Sequence, residues 1–165
     1  MSASGKLEVS TPSDREITMT RRFSAPPELL WDAFTKPELM KKWLYGPEKW
    51  KLAVCELDLR PGGSVRYEWH GPDGEVMGLS GEYREVDPPH RTVHTEIFDE
   101  DWTGGETLVT TTFQTEGEGT TVVTMTVLYS SKEARDGALQ TPMAEGMEMG
   151  YVRLERLLEK AVARG

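Results

Sequence analysis

The sequence predicts an α+β fold in which a curved antiparallel sheet wraps around a long carboxy-terminal helix, with two short helices after the first strand. Three observations carry this. Residues 52–129 read as successive strand-period runs divided by short turn signals, and short links require antiparallel pairing. Met143, Met147, Tyr151, Leu154 and Leu158 then recur at spacings of four, four, three and four, one apolar stripe on a long helix. A strongly twisted sheet of this size buries one face only by wrapping around something, and the final helix is the available partner.

Each element has its own signal. Ile17, Met19 and Phe23 alternate with Thr18, Thr20 and Arg22, which is a first strand over Glu16–Phe23. Ser24 to Glu28 supplies a capping residue and helix-tolerant prolines before Leu29, Leu30, Ala33 and Phe34, a short helical face ending near Thr35. Pro37 starts a second helix through Leu39, Met40 and Trp43, which Gly46-Pro47 ends. Strands follow at Leu52–Leu59, Val65–His70, Val76–Val86, Thr92–Phe98, Thr107–Thr115 and Thr120–Tyr129. They are separated by Arg60-Pro61-Gly62-Gly63, Gly71-Pro72-Asp73-Gly74, Asp87-Pro88-Pro89, the acidic loop Asp99-Glu100-Asp101, and Glu116-Gly117-Glu118-Gly119. Pro142 places the start of the final helix at Met143. Gly146 and Gly150 lie beside its stripe, each costing about 1 kcal/mol relative to Ala, so the helix is expected to stay shallow there for a close backbone or an open space.

At 165 residues the chain has the length of one domain. Residues 1–14 read as a loose tail and 15–165 as the domain. The composition, 37% hydrophobic and 28% charged, is that of a globular protein, and no apolar run approaches the ~20 residues of a membrane-spanning helix. The first residues lack a secretory apolar region, and Cys55 is the single cysteine, so a cytoplasmic location is expected. A formal charge of −9, with no Lys/Arg cluster longer than a pair, disfavours nucleic acid.

Taken together, several segments resemble the activator of Hsp-90 ATPase homologue-like (AHSA-like) proteins of the START/SRPBCC helix-grip superfamily. They are Thr20-Arg21-Arg22-Phe23-Ser24-Ala25-Pro26, residues 30–35, Trp43 with Gly46-Pro47, residues 55–63, residues 81–89, and Gly146-Met147 with Gly150-Tyr151. The resemblance spans roughly residues 15 to 162. It departs at Trp43-Leu44-Tyr45, one residue longer than the bulky pair the family places before Gly-Pro. It implies a cavity between sheet and long helix that binds an apolar small molecule, with a minority of members acting as enzymes.

Trp43, Tyr45 and Trp50 flank the Gly46-Pro47 break, where rings suit a cavity mouth or, for Trp43, the packing of the second helix onto the sheet. Tyr67 and Trp69 share one strand face, as do Val109, Thr111 and Phe113 on a later strand. With Met143, Met147 and Tyr151 opposite, these line either a cavity or a solid core. Glu56 and Asp58 fall on the face of Leu52 and Val54, so an interior Glu56 is one reading, and a solvated carboxylate, or Asp58 paired with Arg60 or Arg66, is the other. Arg21 continues an apolar face and needs an acidic partner.

His90 and His94 on an extended strand stand ~13 Å apart, too far to share a metal, and no metal, nucleotide or nucleophile motif is present. No cofactor is implied. The expected activity is non-enzymatic binding of an apolar or aromatic small molecule. The alternatives are a chaperone (Hsp-90-type) interaction module and a cyclase- or hydrolase-type enzyme using the same cavity. Unpaired strand edges leave room for a protein partner or a homodimer.

Overall fold

The computed structural model describes residues 5–100 and 104–164. Residues 1–4 of the expected tail, Asp101 of the acidic loop and Gly165 lie outside them. Eight strands form one curved antiparallel sheet: β1 (Glu8–Ser10), β2 (Glu16–Phe23), β3 (Lys51–Leu57), β4 (Ser64–His70), β5 (Val76–Asp87), β6 (Arg91–Phe98), β7 (Thr107–Thr115) and β8 (Thr121–Leu128). Their spatial order is β1-β2-β8-β7-β6-β5-β4-β3. The helices are α1 (Pro27–Thr35), α2 (Pro37–Met40), α3 (Lys132–Leu139) and the long α4 (Met143–Arg164). The α+β helix-grip expectation describes this architecture.

Two elements depart from expectation. β1 lies inside the stretch read as a loose tail, pairing Glu8, Val9 and Ser10 with Thr20, Met19 and Thr18. All three residues are exposed, so no hydrophobic pattern marks the strand. α3 was also unannounced, because Lys132–Leu139 buries only Arg135 and Ala138. Local chemistry builds it: the Ser131 side chain accepts from the Ala134 amide at 3.0 Å, and Arg135 donates to the Ser13 carbonyl at 2.7 Å.

The interior reading of Glu56 is corrected. The β3–β4 register shifts between Leu52 and Val54, so an extra residue flips the alternation of everything after it. Leu52 and Cys55 therefore face inward and Glu56 is exposed. Asp58 accepts from Arg60 Nε at 3.0 and 2.9 Å, while Arg66 pairs with Glu68 and Asp99.

Packing at one end of the grip centres on Trp43. Its indole Nε1 donates to the Ala33 carbonyl at 3.0 Å, and its ring lies 4.9 Å from Phe34 and 5.9 Å from Tyr151. Phe23, Phe113, Leu154 and Leu158 close around this group. Arg21 then fixes α4 to the sheet by charge. Its guanidinium, 4% exposed, pairs with Glu148 at 2.7 Å and Glu155 at 3.1 Å, residues about two helical turns apart. The expected acidic partners of Arg21 are thus both on the long helix.

The helix glycines play different parts. A Cβ on Gly150 would lie 3.3 Å from the Trp43 carbonyl oxygen, so a close backbone, not an open space, occupies that side. A Cβ on Gly146 would meet nothing within 4 Å. Gly146→Ala is therefore expected to stabilise the fold by about 1 kcal/mol through helix propensity alone. Gly150→Leu should instead destabilise it by roughly 1–3 kcal/mol by forcing Trp43 away. Urea unfolding of both variants measures the two signs, and matching shifts would contradict the packing.

Candidate functional site

Strand register brings a polar group to the inner face of the sheet. Tyr83 on β5 stands opposite His94 on β6, His94 opposite Val109, Val109 opposite Val127, and Val127 opposite Ile17. Cross-strand partners point to the same face, and Tyr83, Val109, Val127 and Ile17 are all buried. His94 is thereby interior, and Glu96, two residues on, shares its side. Their side chains are only 12% and 21% exposed.

The electrostatics tie this pair to three phenols. His94 Nε2 lies 2.8 Å from Glu96 Oε2, and the His94 ring is 5.8 Å from that of Tyr83. Burial pushes the phenols of Tyr67, Tyr83 and Tyr129 above the ordinary tyrosine range, and the negative charge of Glu96 adds to the effect at all three. Tyr129 is pushed up to about 12. Tyr83 packs beside the His94–Glu96 pair, and Tyr67 and Tyr129 lie near enough to feel the charge of Glu96. The apolar surround includes Val109, Val127, Met19 and the half-buried Met125, Met143 and Met147. The Nδ1 atom of His94 and the hydroxyl of Tyr151 are buried polar atoms with no hydrogen-bond partner among the described residues.

The residues singled out by sequence divide into three places. Tyr67, Val109, Met143 and Met147 belong with or beside the polar cluster, and Thr111 is buried one step along the same face, opposite Thr92 and Met125. Trp43, Phe113 and Tyr151 belong to the aromatic knot, where Phe113 packs 5.2 Å from Phe34. Of the two readings for Trp43, packing of the second helix describes it. Tyr45, Trp50 and Trp69 sit at the strap 44–50.

That strap is held from both sides. Arg153 of α4 stacks 3.8 Å from the centre of the Tyr45 ring, donates to the Gly46 carbonyl at 2.7 Å and approaches Glu48 at 3.4 Å. From the sheet, Trp69 Nε1 donates to the Leu44 carbonyl at 2.9 Å. Gly46 at φ +82° makes the sharp turn that a Cβ would strain. Surface recesses lie elsewhere: an open one of about 380 Å³ beside Asp87, His90 and Arg91, and an apolar one of about 80 Å³ between α1 and α4.

Sequence reasoning missed Tyr83, His94, Glu96 and Tyr129. It tested His94 only against His90 as a metal pair, although His94 and Glu96 at alternate positions were legible as one face. Among the described residues no three of His, Cys, Asp and Glu gather as a metal site. Cys55 is poorly disposed as a nucleophile, since burial pushes its thiol up to about 11 and its Sγ rests 3.7 Å from Met40 Sδ.

The family model described as "Activator of Hsp90 ATPase homolog 1-like protein" matches residues 24–159. The chain belongs to this family. It is similar to the crystal structure of a protein from Rhodobacter sphaeroides at 38% identity, covering 94% of this chain and 99% of that one, with a TM-score of 0.89. A Mycobacterium smegmatis protein is 31% identical over 94% of this chain and 96% of its own, with a TM-score of 0.77. One from Nitrosomonas europaea is 25% identical over 93% and 99%, with a TM-score of 0.79. No curated protein matches the chain. No helix among the described residues is long and apolar enough to cross a membrane.

Two outcomes follow from the geometry. Arg153→Met should free the strap, seen as at least tenfold faster amide exchange over residues 44–50 with β7 unchanged, whereas equal protection would show that Trp69 alone holds it. The raised phenols should also make the fold alkali-sensitive. The unfolded chain releases tyrosine protons near pH 10 that the folded chain retains, so stability is full below that pH and falls as pH rises towards about 12. Urea midpoints measured at pH 8, 10 and 11 should decline across the last two, and a flat profile would contradict the burial.

Proposed function

We propose that this protein binds a small, mostly apolar molecule carrying one polar group, held between the sheet and α4. The observation behind this reading is the group of Tyr67, Tyr83, His94, Glu96 and Tyr129 on the inner face, with the buried Nδ1 of His94 left without a partner among the described residues. Binding sites combine apolar walls with a few convergent polar groups, whereas a core built for packing leaves such groups out. The adjoining methionines are unbranched and adapt to an occupant's shape. The strap 44–50 is fastened to α4 through Arg153, and its release would open a way in. Thiol chemistry has no part in this reading, since burial holds Cys55 in its unreactive form.

Thermal unfolding against a panel of hydrophobic metabolites tests the reading. A ligand at 100 times its dissociation constant stabilises by ~2.7 kcal/mol, which is a rise of roughly 5–10 °C for a chain of this size. Met147→Trp places a bulky ring under the first turns of α4 and should abolish the rise while the variant remains folded. If no compound on a broad panel moves the melting temperature, the binding reading fails, and pull-down with an Hsp90-type chaperone then tests the interaction reading.

A further inference from the structure

The hydrogen-bonding pattern at His94 restricts what the bound molecule's polar group can be. A carboxylate oxygen accepts hydrogen bonds, so the Nε2 atom that lies 2.8 Å from Glu96 Oε2 is placed to donate to it. In the Nε2–H tautomer of the uncharged ring Nδ1 carries a lone pair and no hydrogen. It is buried and has no partner among the described residues, while Nε2 is already committed. A carboxylate on one imidazole nitrogen fixes the tautomer and makes the other nitrogen more basic, hence a better acceptor. The ring is also set by its place in the sheet, opposite Tyr83 on one side and Val109 on the other.

A buried acceptor left without a hydrogen bond is unfavourable, and a ligand that donates to it removes that penalty. A site organised around one such bond discriminates strongly against analogues that lack the group. The surrounding charges narrow the class further. Glu96 faces the same interior, so an anionic carboxylate there meets like charge, and a neutral donor does not. The phenols of Tyr67, Tyr83 and Tyr129 remain neutral and can donate in turn to the oxygen of a ligand hydroxyl.

We infer that His94 is held as the uncharged Nε2–H tautomer, that its buried Nδ1 is the recognition acceptor of the site, and that the ligand is a neutral apolar molecule with an O–H or N–H donor, a phenol or alcohol in preference to the matching ether or ester. This rests on the binding reading above and names its ligand class. Entry to Nδ1 requires side chains to move, and the half-buried Met125, Met143 and Met147 around neighbouring Val109 are suited to that.

The test compares 1-naphthol with 1-methoxynaphthalene, which share an apolar body and differ in the donor. By titration calorimetry the wild-type chain should bind 1-naphthol at least tenfold more tightly. His94→Leu should still bind 1-methoxynaphthalene and should hold the two compounds within about twofold of each other. On the wild-type chain, the ¹⁵N resonance of His94 Nδ1 should move towards the hydrogen-bonded position with 1-naphthol and stay in place with the ether. That measurement decides the matter if His94→Leu does not fold. Equal wild-type affinities, or a preference that survives in His94→Leu, would overturn the donor assignment while leaving the binding reading intact. Failure of both compounds to bind at millimolar concentration would reject the binding reading and this inference with it.

Discussion

The close approach of Trp43 to Gly150 sets the spacing of the layers. Trp43 follows α2 directly, its indole is tied to the end of α1, and its carbonyl rests against the one side of α4 that lacks a Cβ. A larger residue at 150 would lift the helix, and with it Tyr151, whose ring packs against Phe23 of β2 at 5.3 Å. The chain leaving Trp43 then becomes the strap, so the depth of this one contact also positions Tyr45 under Arg153. Arg21 completes the arrangement by holding one face of α4 at two points about two turns apart. A buried ion pair is weak evidence for stability, but one cation between two carboxylates defines the rotation of the helix.

The interior is consequently of two kinds. Around Trp43 the rings of Phe34, Phe113, Phe23 and Tyr151 interlock at centroid distances of 4.9 to 6.2 Å, the geometry of edge and tilted aromatic contacts. Under the first turns of α4 the walls are mostly aliphatic, with Ile17, Val109, Val127 and methionines around Tyr129. Stability and adaptability are thereby separated along one helix. The rigid part holds α4 in place through its middle, and the part beside Met143 and Met147 can respond to an occupant without loosening the whole.

Much of the fold was legible because its signals are local. β2 and β7 have the predicted bounds, and Pro142 marked the start of α4, since alternation and proline placement act within a few residues. β1 and α3 escaped because they bury almost nothing of their own, so neither carries a hydrophobic period. The β3 bulge escaped because one added residue reverses every later assignment on its strand. Glycines in a helix could be seen, but whether each faces a backbone or open solvent is decided by a segment a hundred residues away.

The site was less legible for a related reason. On β6 the apolar alternates are Val93 and Ile97, and pattern reasoning turns such residues inward. In the folded chain Ile97 is exposed and Val93 is covered on the outer face, while His94 and Glu96 take the inner face. The strand is oriented by its pairing with Tyr83 on one side and Val109 on the other, and these neighbours override its own periodicity. A strand that turns its polar side towards a core spends stability unless every polar atom there is satisfied. Glu96 satisfies one nitrogen of His94 and leaves the other without a partner among the described residues, which is an energetic cost. A function at that nitrogen gives the inversion a physical reason that its sequence pattern lacks.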